Sequence, residues 1–129
     1  MSYYHKKLLA NTSFEEAVVR TREALKNEGF GVLTEIDIRE TLRKKLDVDF
    51  NPYNILGACN PPFAYKALQM ENKIGTMLPC NVIVQEIAAG TVEVAAINPV
   101  VSMQAVANGG LEAIAGEVNT RLQQVLDRL

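Results

Sequence analysis

The sequence predicts one two-layer α/β domain of the α+β type, in which helices pack on a single mixed sheet of about five strands. Helical and strand patterns alternate in the order β-α-β-α-β-α-β-β-α-α, with short connections between them. The last two strands are predicted to form a hairpin, so the sheet cannot be wholly parallel. Because 129 residues suffice for one hydrophobic core, we expect residues 1–129 to form a single compact domain.

The first four elements are a strand, a helix, a strand and a helix. Residues 3–10 are predicted as a strand, and Ser13 begins a helix because its hydroxyl and Glu16 match a capping box. Gly29 is a natural left-handed stop for that helix. Residues 30–36 are rich in strand formers, and Asp37 is expected to cap the next helix.

The second half begins with a strand at residues 53–59, after which Asn60 can cap a helix and Pro61 suits its first turn. Residues 80–97 predict a hairpin that turns near Ala89 and Gly90. Residues 102–110 predict a short helix that stops at the glycine pair. The last helix, from about Leu111, has an apolar stripe and the small residues Ala113, Ala115 and Gly116. Such a surface suits either the protein's own sheet or a partner subunit.

Composition excludes several classes of function. Thirteen basic and fifteen acidic residues are mixed along the chain, with a net charge of −2, which gives no electrostatic footprint for nucleic acid. No stretch approaches the ~20 apolar residues that a membrane span needs, so we expect no membrane partner. The N-terminus has no apolar run of signal-peptide length, which predicts a cytoplasmic protein. In that compartment two cysteines are expected to be thiols, metal ligands or redox centres.

The two cysteines occupy similar settings, "GACNPP" and "LPCN". Cys59 is predicted at a strand end just before a helix, where the helix dipole would lower the pKa of its thiol and make it a nucleophile or metal ligand. A small buried hydrophobe is the equally weighted alternative. Cys80 opens the next strand. The two thiols share one end of the sheet if these strands are antiparallel, and lie at opposite ends if they are parallel.

Three other residues are weaker candidates. His5, the sole histidine, is predicted on strand surface but could complete a Cys59–Cys80–His5 metal-ligand set. Glu35 and Asp37 could form a carboxylate pair. Structural roles compete with that reading, because Asp37 is expected to cap a helix and Glu35 fits an exposed strand position.

The motifs "TEID" (residues 34–37), "ILGACNP" (55–61) and "LPCN" (78–81) closely resemble those of the bacterial and archaeal family named domain of unknown function 302. The resemblance covers nearly the whole chain. It implies two α/β layers and a homodimer, and it implies no activity. It also favours treating both cysteine segments as one site. The first-rank site candidates are Cys59, Asn60, Pro61, Pro79, Cys80 and Asn81, with Glu35 and Asp37 second.

Three functions follow as hypotheses. The first is a small ligand-, metal- or sulfur-binding domain, in which two thiolates would suit zinc or copper(I). The second is a thiol enzyme with Cys59 as nucleophile and Cys80 as second thiol, which requires a pKa of Cys59 well below ~8.5. The third is an assembly protein whose cysteines are inert. No obvious general base accompanies the thiols unless Glu35, Asp37 or His5 folds next to them, so the sequence leaves open whether the protein is an enzyme.

Overall fold

The computed structural model describes residues 2–129 and contains the strands and helices in the predicted order. The strands are β1 (Tyr4–Ala10), β2 (Gly31–Asp37), β3 (Tyr53–Cys59), β4 (Cys80–Ala88) and β5 (Thr91–Ile97). The helices are α1 (Phe14–Asn27), α2 (Ile38–Leu46), α3 (Pro61–Met70), α4 (Pro99–Ser102) and α5 (Leu111–Asp127), and a 3₁₀ turn covers Ile74–Met77. The predicted two-layer fold class is therefore confirmed.

The five strands form one sheet in the order β1-β5-β4-β3-β2. All four neighbouring pairs are antiparallel, so the sheet is not mixed as the sequence predicted. The reason lies in the connections. After β3, helix α3 and the 3₁₀ turn return the chain to the C-terminal end of β3. There β4 begins, and Cys80 pairs with Ala58. The segment containing α2 does the same between Asp37 and Asn54.

One face of the sheet carries the hydrophobic core. Alternate residues of β3, β4 and β5 point to this face, as the period of two in a strand requires, and they pack against α1 and α5. Leu25 of α1 and Leu122 of α5 are fully buried there. Burying each such side chain stabilises the fold by roughly 1.5–3 kcal/mol.

Local capping chemistry sets the ends of the first two helices. The Ser13 hydroxyl accepts from the amide of Glu16 at 3.1 Å, and α1 is followed by Gly29 with φ of +86°. The Asp37 carboxylate accepts from the amide of Glu40 at 2.9 Å. All three predicted helix limits are confirmed, because each depends on residues adjacent in sequence.

The short helix predicted at residues 102–110 is misplaced, because α4 begins three residues earlier at Pro99. The side chain of Asn98 accepts from the amides of Val100 and Val101, and Pro99 fills the first helical position where an amide is not needed. The segment up to Gly110 consists of turns.

The apolar stripe of α5 packs on the protein's own sheet and helices. Its buried residues are Leu111, Ala115, Val118, Leu122, Val125 and Leu126. The sequence allowed this stripe to pack either on the protein's own sheet or on a partner subunit, and in the structure it packs into the protein's own core. In the described part of the chain, no helix combines the length and the apolar character needed to cross a membrane.

Candidate functional site

The main apolar cavity lies where the ends of β3 and β4 meet α3, α4 and α5, and its volume is about 330 Å³. Its walls are aliphatic, aromatic and sulfur-containing, with the amide of Asn60 among them. The residues that line it are Leu33, Ala58, Cys59, Asn60, Phe63, Ala64, Ala67, Leu68, Gly75, Leu78, Pro79, Cys80, Pro99, Met103, Ile114, Ala115 and Val118.

Cys59 and Cys80 both line this cavity. The sequence left two courses open for the chain between them, and the antiparallel pairing of β3 with β4 settles the choice. Because Ala58 lies opposite Cys80, the two cysteine segments share one end of the sheet. Both cysteines are free thiols, and they form no disulfide.

Both thiols are held in their neutral form. Burial raises the pKa of the Cys59 thiol above its ordinary value. Burial, with a smaller contribution from nearby Cys59, raises the pKa of Cys80 to about 11. The predicted lowering of the Cys59 pKa by the helix dipole is therefore wrong, because removal of the thiol from water opposes its ionisation. This disfavours Cys59 as an activated nucleophile.

The proposed metal-ligand set is not assembled. His5 lies on β1, at the opposite edge of the sheet from β2, and its Nε2 is hydrogen-bonded to Asn119 of α5 at 2.8 Å. Among residues 2–129, no group of three or more His, Cys, Asp or Glu side chains is placed to hold a metal ion. The expectation of a zinc or copper site at Cys59, Cys80 and His5 therefore lacks geometric support.

Asn60 is the polar group of the cavity wall. It occupies the N-cap position of α3, as predicted, but its side chain makes no capping hydrogen bond. Only 7% of the residue is exposed, and its side-chain amide bonds to none of the described residues. Neither amide atom of Asn60 is among the fully buried, unpartnered side-chain atoms of the described residues, so the amide keeps contact with solvent and is available to water or to a bound molecule. Pro61 follows it as an exposed residue of the first helical turn.

The two second-rank carboxylates lie outside the cavity and have structural partners. Glu35 pairs with Arg22 and accepts from Asn54 Nδ2 at 2.8 Å, and Asp37 caps α2. They do not form a carboxylate pair that shares a site. Asn81 is exposed at the start of β4 and does not line the cavity, but it lines an adjacent groove that shares Pro79 and Cys80 with the cavity.

The three motifs that carry the family resemblance meet at Gly57. A Cβ atom at this position would lie only 2.8 Å from Cγ of Pro79, and it would also collide with the side chain of Thr34. Real Cβ atoms do not approach that closely, so only glycine fits in the second motif where it passes between the first and the third. The presence of "GAC" together with "LPC" thus has a packing reason that is independent of the thiols.

Several cavity residues were not singled out from the sequence, notably Phe63, Ala64 and Ala67 of α3 and Val118 of α5. One sequence signal could have identified part of this wall. Ala64 and Ala67 are three residues apart, which places two small side chains on one helix face and leaves space beside it. That face and Cys80 at the start of β4 line the same cavity.

Comparisons with known proteins agree on one family. The family model described as Domain of unknown function DUF302 matches residues 5–129. A crystal structure of an uncharacterized conserved protein DUF302 from Bacillus stearothermophilus is 32% identical, with a TM-score of 0.90 over 99% of this chain and 98% of that one. Among curated proteins, none matches the chain. On the family match and this structural likeness together, the chain belongs to the DUF302 family.

Proposed function

We propose that this domain binds a small, largely apolar molecule in the cavity between the sheet end and α3. The observation that carries the proposal is the free amide of Asn60 in the wall of an otherwise apolar cavity of about 330 Å³. Ligand sites in proteins are typically concave and apolar, with a few placed polar groups that orient the ligand. Both the volume and the single free amide fit that description.

The state of the thiols supports a binding role over a thiolate chemistry. Cys80 is buried with a pKa of about 11, and burial also raises the pKa of Cys59. Neutral thiols behave as small apolar groups. In this proposal Cys59 and Cys80 therefore shape the wall of the site and contact the ligand through van der Waals interactions.

The test is a titration with 1-decanol, an uncharged amphiphile, followed by isothermal calorimetry. The Ala64→Trp variant places a large ring in the cavity, whereas Gln69→Trp adds the same ring to the exposed side of the same helix. We expect the wild type and Gln69→Trp to bind the probe and Ala64→Trp to lose binding at least tenfold. Equal binding by both variants, or none by the wild type, would overturn the proposal.

We also propose a homodimer that forms through the sheet face away from α1 and α5. The strand pairing aligns Ile36, Ile55, Ile83 and Ala95 in one row across that face. A water-facing sheet surface normally has polar residues, so an isoleucine row favours a covered surface. Glu93 on this face is offset by Lys6 at 4.0 Å, which leaves little charge to repel a second copy of the same surface.

Analytical ultracentrifugation of the Ile83→Glu variant tests the dimer. We expect the wild type to sediment as a dimer and this variant as a monomer, because the new carboxylates would meet across the twofold axis. Leu46→Glu, at an exposed position of α2, is the matched control and should remain dimeric. A monomeric wild type, or a dimeric Ile83→Glu variant, would contradict this interface.

A further inference from the structure

A cationic side chain lies beside the cavity without a carboxylate partner. Arg121 of α5 donates from Nη1 to the carbonyl oxygen of Glu28 at 3.3 Å. The carboxylate of Glu28 forms an ion pair with Arg128 instead, with 2.7 Å between Oε2 of Glu28 and Nη2 of Arg128. Within the described chain, no Asp or Glu side chain forms an ion pair with Arg121, so no carboxylate of these residues neutralises its charge.

The guanidinium of Arg121 contacts Phe63, which is a residue of the cavity wall. It stands over the ring of Phe63, 5.3 Å from the ring centroid, in a cation–π contact. Phe63 and Val118, one helical turn before Arg121, both line the cavity. Arg121 therefore contacts a side chain of the cavity wall and lies on the same helix that contributes Val118 to that wall.

Gly29 lies beside both Arg121 and the amide of Asn60. A Cβ atom at Gly29 would lie 3.1 Å from Nδ2 of Asn60 and 3.6 Å from Nη1 of Arg121. Both nitrogens are therefore neighbours of the same glycine, which brings two hydrogen-bond donors, one of them charged, next to each other. The positive φ of +86° at this residue also favours glycine.

The positive charge at this end of the cavity comes from Arg121 rather than from the start of α3. Pro61 and Pro62 have no amide hydrogen, and the amide of Ala64 donates to the carbonyl of Asn60 at 2.9 Å. The first turn of α3 therefore offers few donors to an anion. The side-chain amide of Asn60, a residue that is 7% exposed and lines the cavity, supplies the second donor at this end.

We propose that the ligand is a fatty acid, with its carboxylate held by Arg121 and Asn60 and its hydrocarbon chain in the apolar cavity. This inference rests on the proposed function of the same cavity. A guanidinium matches the planar geometry of a carboxylate, and charge-assisted hydrogen bonds of this kind are about twice as strong as neutral ones. The cavity volume accommodates about ten water-sized groups at ~30 Å³ each, which favours a chain of medium length.

The experiment compares decanoate with 1-decanol on the full chain by isothermal calorimetry at pH 7.5 in low salt. We expect the wild type to bind decanoate about tenfold or more tightly than 1-decanol, and high salt to reduce that preference. In Arg121→Gln the preference for decanoate should disappear while 1-decanol binding persists. Arg39→Gln, an exposed residue of α2, loses the same charge and should retain the preference.

Arg121→Met provides a second variant in case Arg121→Gln folds poorly. It keeps an unbranched apolar stem and removes the charge, so decanoate binding should fall while 1-decanol binding remains. Binding of 1-decanol with no preference for decanoate in the wild type would overturn the fatty acid and leave the proposed cavity function intact. Binding of neither probe would overturn both proposals.

Discussion

Helices α1 and α3 pack in contrasting ways, because α1 lies on the sheet whereas α3 packs on α5 and the 3₁₀ turn. In α1 five residues are buried, and the N-cap side chain of Ser13 is hydrogen-bonded to the first turn. In α3 only Ala67 is buried, and the N-cap side chain of Asn60 makes no such bond. The first helix is held by packing and capping, whereas the second bounds an open space.

The contrast shows how one sheet can support both stability and a site. Val18 and Leu25 of α1 join the leucines and valines of the sheet in one buried cluster. Ala64 and Ala67 of α3 instead line the cavity together with Ala58 and Cys80, and these small side chains leave its volume open. The polar group that caps α1 is used by the helix, and the corresponding group of α3 remains free. An N-cap side chain that makes no capping bond, next to small side chains, is thus the local feature that distinguishes the site.

The largest expected effect comes from truncating one leucine in each helix. Leu25→Ala in α1 removes a fully buried side chain and should lower the free energy of unfolding by about 2–5 kcal/mol. Leu68→Ala in α3, where the leucine is 42% exposed, should cost less than about 1 kcal/mol. Urea denaturation measures both. Similar losses in the two variants would show that α3 packs as tightly as α1.

The next largest effect depends on whether the Cys80 thiol in the cavity wall is shielded from water. The folded-state pKa of Cys80, about 11, exceeds the ordinary value of 9.0. Below pH 9 the thiol is protonated in both the folded and the unfolded state, so its burial adds no pH dependence there. Between pH 9 and 11 the unfolded chain releases this proton first, and stability should fall by up to about 2–3 kcal/mol.

Denaturant titrations across pH 8–11, under reducing conditions, measure that loss. Lysines and tyrosines titrate in the same range, so the informative quantity is the difference between the wild type and Cys80→Ala. Cys59→Ala is the matched control, and it should keep most of the pH dependence because Cys80 remains. A wild type and a Cys80→Ala variant with identical pH profiles would mean that water reaches the Cys80 thiol.

The smallest effect compares the two caps. Ser13→Ala removes a 3.1 Å hydrogen bond to the amide of Glu16 and should destabilise the protein by about 1 kcal/mol. Asn60→Ala removes no capping bond, so its cost should stay within about 0.5 kcal/mol. Thermal unfolding in the absence of ligand measures the pair. A loss of stability in Asn60→Ala equal to that in Ser13→Ala would assign Asn60 a structural role.

The sequence was most informative where structure depends on neighbours along the chain. The caps at Ser13 and Asp37 and the stop at Gly29 follow from hydrogen bonds within one turn, and all were predicted at their observed places. At α4 the prediction relied on the glycine pair that follows the helix and missed the cap at Asn98 and the proline after it. The local signal was present there and was assigned to the wrong residues.

The sequence by itself determined the elements, their order, the family and the position of each cysteine at a strand end. Only the tertiary structure decided that all strands are antiparallel, that both thiols line one cavity and that Asn60 is left without a partner. The helix dipole predicted a lowered pKa for Cys59, yet burial raises it. The physical reason is that strand direction and burial depend on where distant segments return in space, whereas capping and turn formation depend on a few adjacent residues.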